Sequence, residues 1–513
     1  MMNTLFSVFF LVAFLFYAWR VLNYFWLRPR KLEKILRAQG LVGSSYKPLL
    51  GDLKELQRVT EEAISKPINL SDDILPRVVP FEFHVTKKYG GNPFIWFGPI
   101  PRVIIKDPEL MKEMLQKHMI VQKPAFNSLA KLLIEGVVTA EGDKWAKHRK
   151  IVIPAFNLEK IKLMLPAFQV CASEMVNKWE ESLSPEGSYD LDVWPSLVTL
   201  TSDVISRTAF GSNYEEGRKI FELQEEQAKH IITIGLSLAI PGLRFLPTKR
   251  NRRMKEIART VEELISNIID KRVRAMEAGE PSKNDLLGIL LDSNFQEIKE
   301  KGHKRFGLST KDVVEECKLF YFAGQETTAT LVVWSLVLLS QHPEWQSRAR
   351  EEVFRVFGGT EINFDALNHL KVVTMILNET LRLYPSVAAL SRTVIEDTRI
   401  GKYFLPAGTL FTLQIVQMHH DPEIWGDDVK EFKPERFSEG VANATKGQPA
   451  FFPFGSGPRI CLGQNFSMTE AKLVMAMILQ RFSFELSPSY THAPYTVITV
   501  QPQHGAQLIL RKL

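Results

Sequence analysis

The hydrophobic positions along the chain follow a helical period over most of its length. Apolar residues recurring every three or four positions predict helices over 107–118, 142–154, 158–183, 193–210, 214–235, 251–278, 311–340, 343–357 and 370–384, with a further helical stretch from Asp73 to Tyr89. Strand patterns are short. Phe94–Gly98 and Arg102–Lys106 read as two strands joined around Pro99 and Pro101, and weaker signals lie at 392–400, 408–414 and 495–511. The pattern predicts a mainly α protein with small β-sheets (an α+β chain). No repeat of fixed period occurs, and no G-x-G-x-x-G follows a strand, so a doubly wound sheet is excluded.

The first residues break from this pattern. Leu5 to Trp19 is apolar or small throughout and, with the four residues before it, approaches the roughly 20 residues that cross a bilayer. Arg20 can snorkel beside Trp19, Tyr24 and Trp26, and Arg28, Arg30, Lys31, Lys34 and Arg37 follow. No basic residue precedes the apolar run and no small-residue cleavage site follows it, which favours an uncleaved, single-pass anchor over a signal peptide. Residues 1–27 are therefore expected to form a membrane anchor, with residues 28–513 as one domain facing the cytosol.

Composition narrows the picture further. The 513 residues are 45% hydrophobic and 24% charged, ordinary for a globular protein, and no linker or charge block divides them. A net charge of +6, without Lys/Arg runs interleaved with aromatics, does not point to nucleic acid. Three widely spaced cysteines, Cys171, Cys317 and Cys461, are no disulfide framework. Cys171 and Cys317 sit in helix-like apolar sequence and read as buried thiols.

Cys461 is different. Phe451 to Gly463 reads FFPFGSGPRICLG, a constrained loop that presents a sulfur near the start of a helix beginning about Leu462. Backbone N–H groups there favour a thiolate. A thiolate is the soft axial ligand with which haem iron cleaves an O–O bond. Arg459 is placed to reach a haem carboxylate. The spacing Phe454-Gly455-x-Gly457-x-Arg459-x-Cys461-x-Gly463 resembles the haem-binding loop of the cytochrome P450 family. Other motifs stand in that family's order: Trp145 with Arg149, Ala323-Gly324-Gln325-Glu326-Thr327-Thr328, Glu379-Thr-Leu-Arg382, and Pro434-Glu-Arg436-Phe437. The likeness covers nearly the whole chain.

It implies the cytochrome P450 fold behind an N-terminal transmembrane helix, with haem b held through Cys461 and cradled by Phe454 and Gly463. Trp145, Arg149, Arg392 and Arg459 are expected at the haem propionates. Ala323 and Gly324 are expected to leave a gap beside the central helix for a diatomic ligand. The Thr327 hydroxyl can bond the carbonyl of Ala323 and open the helix locally, and the family assigns Thr327 and Glu326 to proton delivery. Glu379 and Arg382 share a helix face; by resemblance they join Arg436 in a buried ionic network that supports the cysteine loop. Lys144, Lys147, His148 and Lys150, around the Trp–Arg pair, read either as a solvated face or as a basic docking surface. His419, His420 and Asp421 lack a third metal ligand nearby and read as structural.

The resemblance further implies O2 and NADPH as co-substrates, an NADPH–cytochrome P450 reductase as electron donor, and the endoplasmic reticulum membrane as location. The wording around Trp145–Phe156 and Cys317–Thr328 is similar to the plant clan that holds triterpenoid oxidases, secologanin synthase and hormone-inactivating enzymes. A pentacyclic, oleanane-type triterpenoid is the expected substrate, with an iridoid or monoterpenoid, or a terpenoid or steroid hormone, as alternative. Segments near 119–138, 232–247, 320–323, 386–390 and 493–499 are expected to face it. Two departures stand out: Gly40–Tyr46 replaces a Pro-rich hinge, and Ser386 follows Tyr384-Pro385 where a second proline is usual. Rival classes are a reductase-independent haem-thiolate peroxide isomerase, whose members lack the central-helix threonine, and a non-catalytic haem-binding protein.

Overall fold

The computed structural model describes residues 2–513 except 126–128, 186, 213, 234–245, 281–284, 303–306 and 359–361. It is mainly helical, and one helix organises the rest. Thr310–Gln341 starts at a capping box, in which Ser309 and Asp312 satisfy each other's exposed donors, and runs 32 residues through the interior. Its residues 313–321 and 328–339 are buried, whereas 322–327 are partly exposed, Ala323 most of all. Against it pack the helices Val193–Phe210, Lys371–Leu383 and Gln464–Arg481, which share one large apolar core.

The three-stranded sheet shares the helical core, whereas the five-stranded sheet builds a second one. Among the described residues the largest has five strands in the order Phe94–Phe97, Ile100–Ile105, Leu410–Leu413, Leu390–Val394, Val121–Gln122. Neighbours are antiparallel except Ile100–Ile105 beside Leu410–Leu413, where Arg102 faces Leu410. A second sheet pairs Gln507–Lys512 with both Ser188–Asp192 and Phe482–Leu486. The expected strand at 495–511 is in fact three, because the hairpin Pro494–Thr496/Val500–Pro502 turns back before the last strand begins.

The apolar N-terminus forms a helix, Met2–Leu22, that continues through a wider turn at Asn23–Leu27 into Arg28–Ala38. Among the described residues two helices are long and apolar enough to span a membrane; the central one is largely buried, the N-terminal one is not. Burial starts at Pro29, and Leu32 and Leu36 pack into the five-stranded sheet's core. Where the sequence lacks a proline hinge, Gly43 lies flat against the sheet edge: a Cβ there would sit 2.0 Å from the Phe94 carbonyl oxygen. The Val42 carbonyl accepts from Phe94 N–H (2.9 Å) and Ser44 N–H donates to the Phe94 carbonyl (3.1 Å).

Candidate active site

The cysteine loop is shaped by its glycines. Gly455 and Gly457 take φ of 72° and 69°, in the left-handed region. Gly457 also lies so close to helix Pro108–Gln116 that a Cβ would meet the Leu115 carbonyl oxygen at 2.8 Å. Cys461 N–H donates to the Phe454 carbonyl (2.9 Å), which closes the loop. Helix Gln464–Arg481 follows, and Gly463 N–H points back at the Cys461 sulfur. The sulfur is accessible but hemmed in by protein, and burial pushes its thiol up while Gly463 N–H, Arg149 and Lys123 pull it down. Burial is the largest of these effects. Cys171 and Cys317 are buried free thiols, both pushed up by burial.

Cations gather at one edge of the sulfur's chamber. Trp145 carries Arg149 over its ring at 5.7 Å and Arg459 at 4.6 Å. Arg149 donates twice to the Ile460 carbonyl (3.2 Å each), and Arg459 donates to the Ala140 carbonyl (2.9 Å) and pairs with Glu141. Arg392 is buried, and burial with Arg459 nearby lowers it to about 10. Lys123, which no sequence motif marks, joins them: burial, then Arg392 and Arg459, bring it down to about 7. Lys123, Arg392 and Arg459 thus share the one carboxylate of Glu141, and Arg459 keeps Nε and Nη1 buried without partners. Such a surplus of buried donors fits the carboxylates of a haem edge.

The predicted ionic network is present. Glu379 and Arg382 are fully buried and paired in a fork, at 2.8 and 2.7 Å. Arg436 approaches Glu379 at 3.4 Å. Arg382 also donates to the carbonyls of His419 (3.1 Å), Val429 (2.6 Å) and Glu431 (3.1 Å). The His419 ring then accepts Phe452 N–H (3.1 Å), at the mouth of the cysteine loop. Burial lowers His419 to about 3, so the ring is neutral and serves as an acceptor. His420 bonds the Leu383 carbonyl and Asp421 pairs with Lys106, so this trio is structural. No metal-ligand group occurs among the described residues.

On the central helix, Ala323 is the most open residue of the exposed stretch, and the Thr327 hydroxyl donates to the Ala323 carbonyl (2.8 Å). Glu326 is held by Thr499, whose hydroxyl donates at 3.0 Å; burial raises its carboxyl, Thr499 opposes this, and Glu225 and Lys229 act from a neighbouring helix. Gly324 departs from expectation. The side it leaves bare is filled by Ile205, 2.8 Å from where a Cβ would be, so this glycine permits the close crossing of Val193–Phe210. The basic face around Trp145 is in part solvated, with Lys144 61% and Lys150 60% exposed, while its side chains also reach neighbouring elements. His148 is buried against Glu316 (2.5 Å), Lys144 pairs with Asp312 (3.0 Å), Lys147 donates to the Gly307 carbonyl (2.8 Å) and Lys150 pairs with Glu297. These residues bolt their helix to its neighbours. Of the expected substrate-facing segments, 234–245 and 126–128 lie outside the described residues.

Comparison with known proteins agrees with this arrangement. The family described as Cytochrome P450 matches residues 79–509. Cytochrome P450 72A397 of Kalopanax septemlobus is 59% identical over 497 residues, 97% of this chain and 96% of that protein. The 7-deoxyloganic acid hydroxylase of Catharanthus roseus is 53% identical over 504 residues, 97% of each chain. Secologanin synthase 1 of the same plant is 52% identical over 500 residues, 97% of this chain and 95% of that protein. With a lone cysteine loop backed by a buried Glu–Arg pair and likeness along almost its full length, the chain belongs to the cytochrome P450 family, as a haem-thiolate monooxygenase that uses O2 and NADPH through a reductase.

Proposed function

We propose that Cys461 is the axial ligand and that the chain hydroxylates a lipophilic plant metabolite, an oleanane-type triterpenoid first. The observation that carries the site assignment is the cationic cluster at the cysteine loop, in which Arg149 and Lys123 act on the Cys461 sulfur and Lys123 lies beside Arg392 and Arg459. The overall change is R–H + O2 + NADPH + H⁺ giving R–OH + H2O + NADP⁺. Haem, when bound, supplies the activation of oxygen. The chain does the rest. Arg149, Arg392, Arg459 and Trp145 fix the cofactor edge, Lys123 adds a fourth donor, and Phe454, Gly457 and Gly463 shape the loop around the sulfur. Ala323 leaves room on the distal side. Thr327 and Glu326 hold protons at the hydroxyl and the carboxyl, within an otherwise buried helix that limits water. Glu379, Arg382 and Arg436 keep the loop in place without touching the reacting atoms.

Residues 1–27 anchor the chain in the endoplasmic reticulum membrane, with the domain 28–513 in the cytosol and an NADPH–cytochrome P450 reductase as its partner. The exposed apolar helix followed by Arg28, Arg30, Lys31 and Lys34 supports this. An iridoid acid is the second reading, favoured by the names of two relatives just above half identity. Co-expression with a plant reductase in a host making β-amyrin, and separately in a host fed 7-deoxyloganic acid, tests both. A product heavier by one oxygen from the first supports the triterpenoid reading. Turnover of the acid alone would replace it.

A further inference from the structure

The open stretch of the central helix carries an unusual load of hydroxyl donors. In an α-helix each carbonyl accepts from the N–H four residues on. Here the carbonyls of Ala323, Gln325 and Thr327 also each receive a side-chain hydroxyl: Thr327 itself at 2.8 Å, Thr201 at 2.5 Å and Ser386 at 2.9 Å. Hydroxyls that bond helix carbonyls loosen and bend a helix.

Two of the hydroxyls that reach this stretch from elsewhere belong to one unit. Val500 N–H donates to the Ser386 carbonyl (3.1 Å), which ties the segment after Tyr384-Pro385 to the hairpin that carries Thr499. The hairpin is itself fastened to the central helix, since Trp334 Nε1 donates to the Val500 carbonyl (2.6 Å) and Trp334 stacks on Tyr384 at 4.4 Å. From this fixed unit Ser386 reaches the Thr327 carbonyl, and Thr499 reaches Glu326 Oε2 (3.0 Å). Ser386 and Thr499 are 7% and 2% exposed, so water does not compete for these bonds. A proline at 386 would have no hydroxyl to donate.

We propose that Ser386 and Thr499 form a bracket that sets how Glu326 and Thr327 present carboxyl and hydroxyl to the chamber, making both positioning residues for proton delivery. This rests on reading Glu326 and Thr327 as the proton-delivering pair. Removing either hydroxyl leaves the helix turn free to relax, and oxygen then leaves as peroxide (O2 + NADPH + H⁺ giving H2O2 + NADP⁺). Thr499 also stabilises the ionised form of Glu326, alongside Lys229 on Tyr214–Thr233 and against Glu225 and Tyr495. Its loss should therefore move the Glu326 titration upward.

The test uses full-length holoenzyme with reductase and NADPH and no added substrate, as Ser386→Ala, Ser386→Thr, Thr499→Val and Thr499→Ser. Peroxide formed per unit time should rise roughly fivefold in the Ala and Val variants, the change that losing about 1 kcal/mol of positioning produces. A second readout is the infrared C–O stretch of carbon monoxide bound to the reduced protein, which senses polar groups facing the chamber. It should shift and broaden in the same two variants, and the hydroxyl-bearing Thr and Ser variants should restore both readouts. Wild-type values in Ser386→Ala and Thr499→Val, or a Thr499→Ser variant no better than Thr499→Val, would overturn the bracket. If Ser386→Ala holds no haem, the Thr499 pair decides alone. Thr327→Ala run in parallel separates the two ideas: unchanged peroxide there removes the proton-delivery reading, whereas a rise there without one in the bracket variants removes only the bracket.

Discussion

Replacing Glu379 with alanine removes the carboxylate at the centre of the buried network. Arg382 loses two bonds of 2.7 and 2.8 Å, Arg436 loses its 3.4 Å neighbour, and Lys433 N–H loses its acceptor at 3.0 Å. Arg382 keeps its three backbone carbonyls and Arg436 keeps Asp428 (2.7 Å), so hydrogen bonding is only partly lost. Charge balance is what fails, because Arg382 is completely buried. A buried charge stripped of its partner costs roughly 3–5 kcal/mol, against about 5–15 kcal/mol for a whole fold. At 1.36 kcal/mol per tenfold, that is about two to four powers of ten in the folded population. Glu379→Gln keeps an acceptor for Arg382 but not the charge, and should cost less, about 1.5–3 kcal/mol. The assay is haem held per protein, from the carbon monoxide difference band against an immunoblot, together with the thermal midpoint. Glu379→Ala should yield little haem-loaded protein and Glu379→Gln an intermediate amount. Wild-type loading and melting in the alanine variant would refute the claim that this pair holds the loop.

Three further expectations follow from particular contacts. Gly457→Ala forces a side chain into left-handed backbone and against the Leu115 carbonyl, so it should lose roughly 1–3 kcal/mol or more and most of its bound haem; normal loading would refute the loop geometry. Gly324→Ala should destabilise by about 1–3 kcal/mol through collision with Ile205, and adding Ile205→Ala should recover part of it, as a double-mutant cycle on denaturant midpoints would show; additive losses would sink the packing explanation. Glu470 is completely buried on Gln464–Arg481, and burial raises its carboxyl well above the ordinary value, with the Thr328 hydroxyl nearby pulling the other way. An acid whose folded value is raised is stabilising while protonated, and that stability is lost as pH climbs from the ordinary carboxyl range towards the folded value. Glu470→Gln should therefore melt higher than wild type above neutral pH and show less pH dependence; parallel melting curves from pH 5 to 9 would contradict this.

What could be read from the chain alone followed the strength of local signals. The central helix was expected at 311–340 and spans Thr310–Gln341, because its apolar run and capping pair are both local. Leu286–Lys301 was not foreseen, although Asp285 caps it, since its long apolar start blurs the helical period. Arg28–Ala38 hid within a run read only for its charges, and Leu53–Ile64 is too polar to announce itself. Ser188–Asp192 exists as a strand because the chain's last residues pair with it, a partner over 300 positions away. At the site, spaced motifs led to Cys461, Glu379, Arg382 and the Trp145 pair. Lys123 carried no motif, and only the folded chain sets it beside Arg392 and Arg459. Gly324 was placed on the right helix with the wrong neighbour, because which face of a glycine is filled depends on a second helix.

The unbroken run from the N-terminal helix into Arg28–Ala38 has a practical side. Pro29, Leu32 and Leu36 belong to the folded body, Arg28 reaches the Ala407 carbonyl at 3.5 Å, and Gln39 donates to the Phe404 carbonyl at 2.7 Å. Shortening the protein to make it water-soluble should stop ahead of Arg28. A cut placed beyond residue 38, where the charged sequence looks dispensable, would tear a wedge out of the sheet's packing and leave its underside greasy and prone to clumping. Because helical backbone runs on through Asn23–Leu27, a cut inside that turn would end the N-terminal rod just before its first buried residue, Pro29.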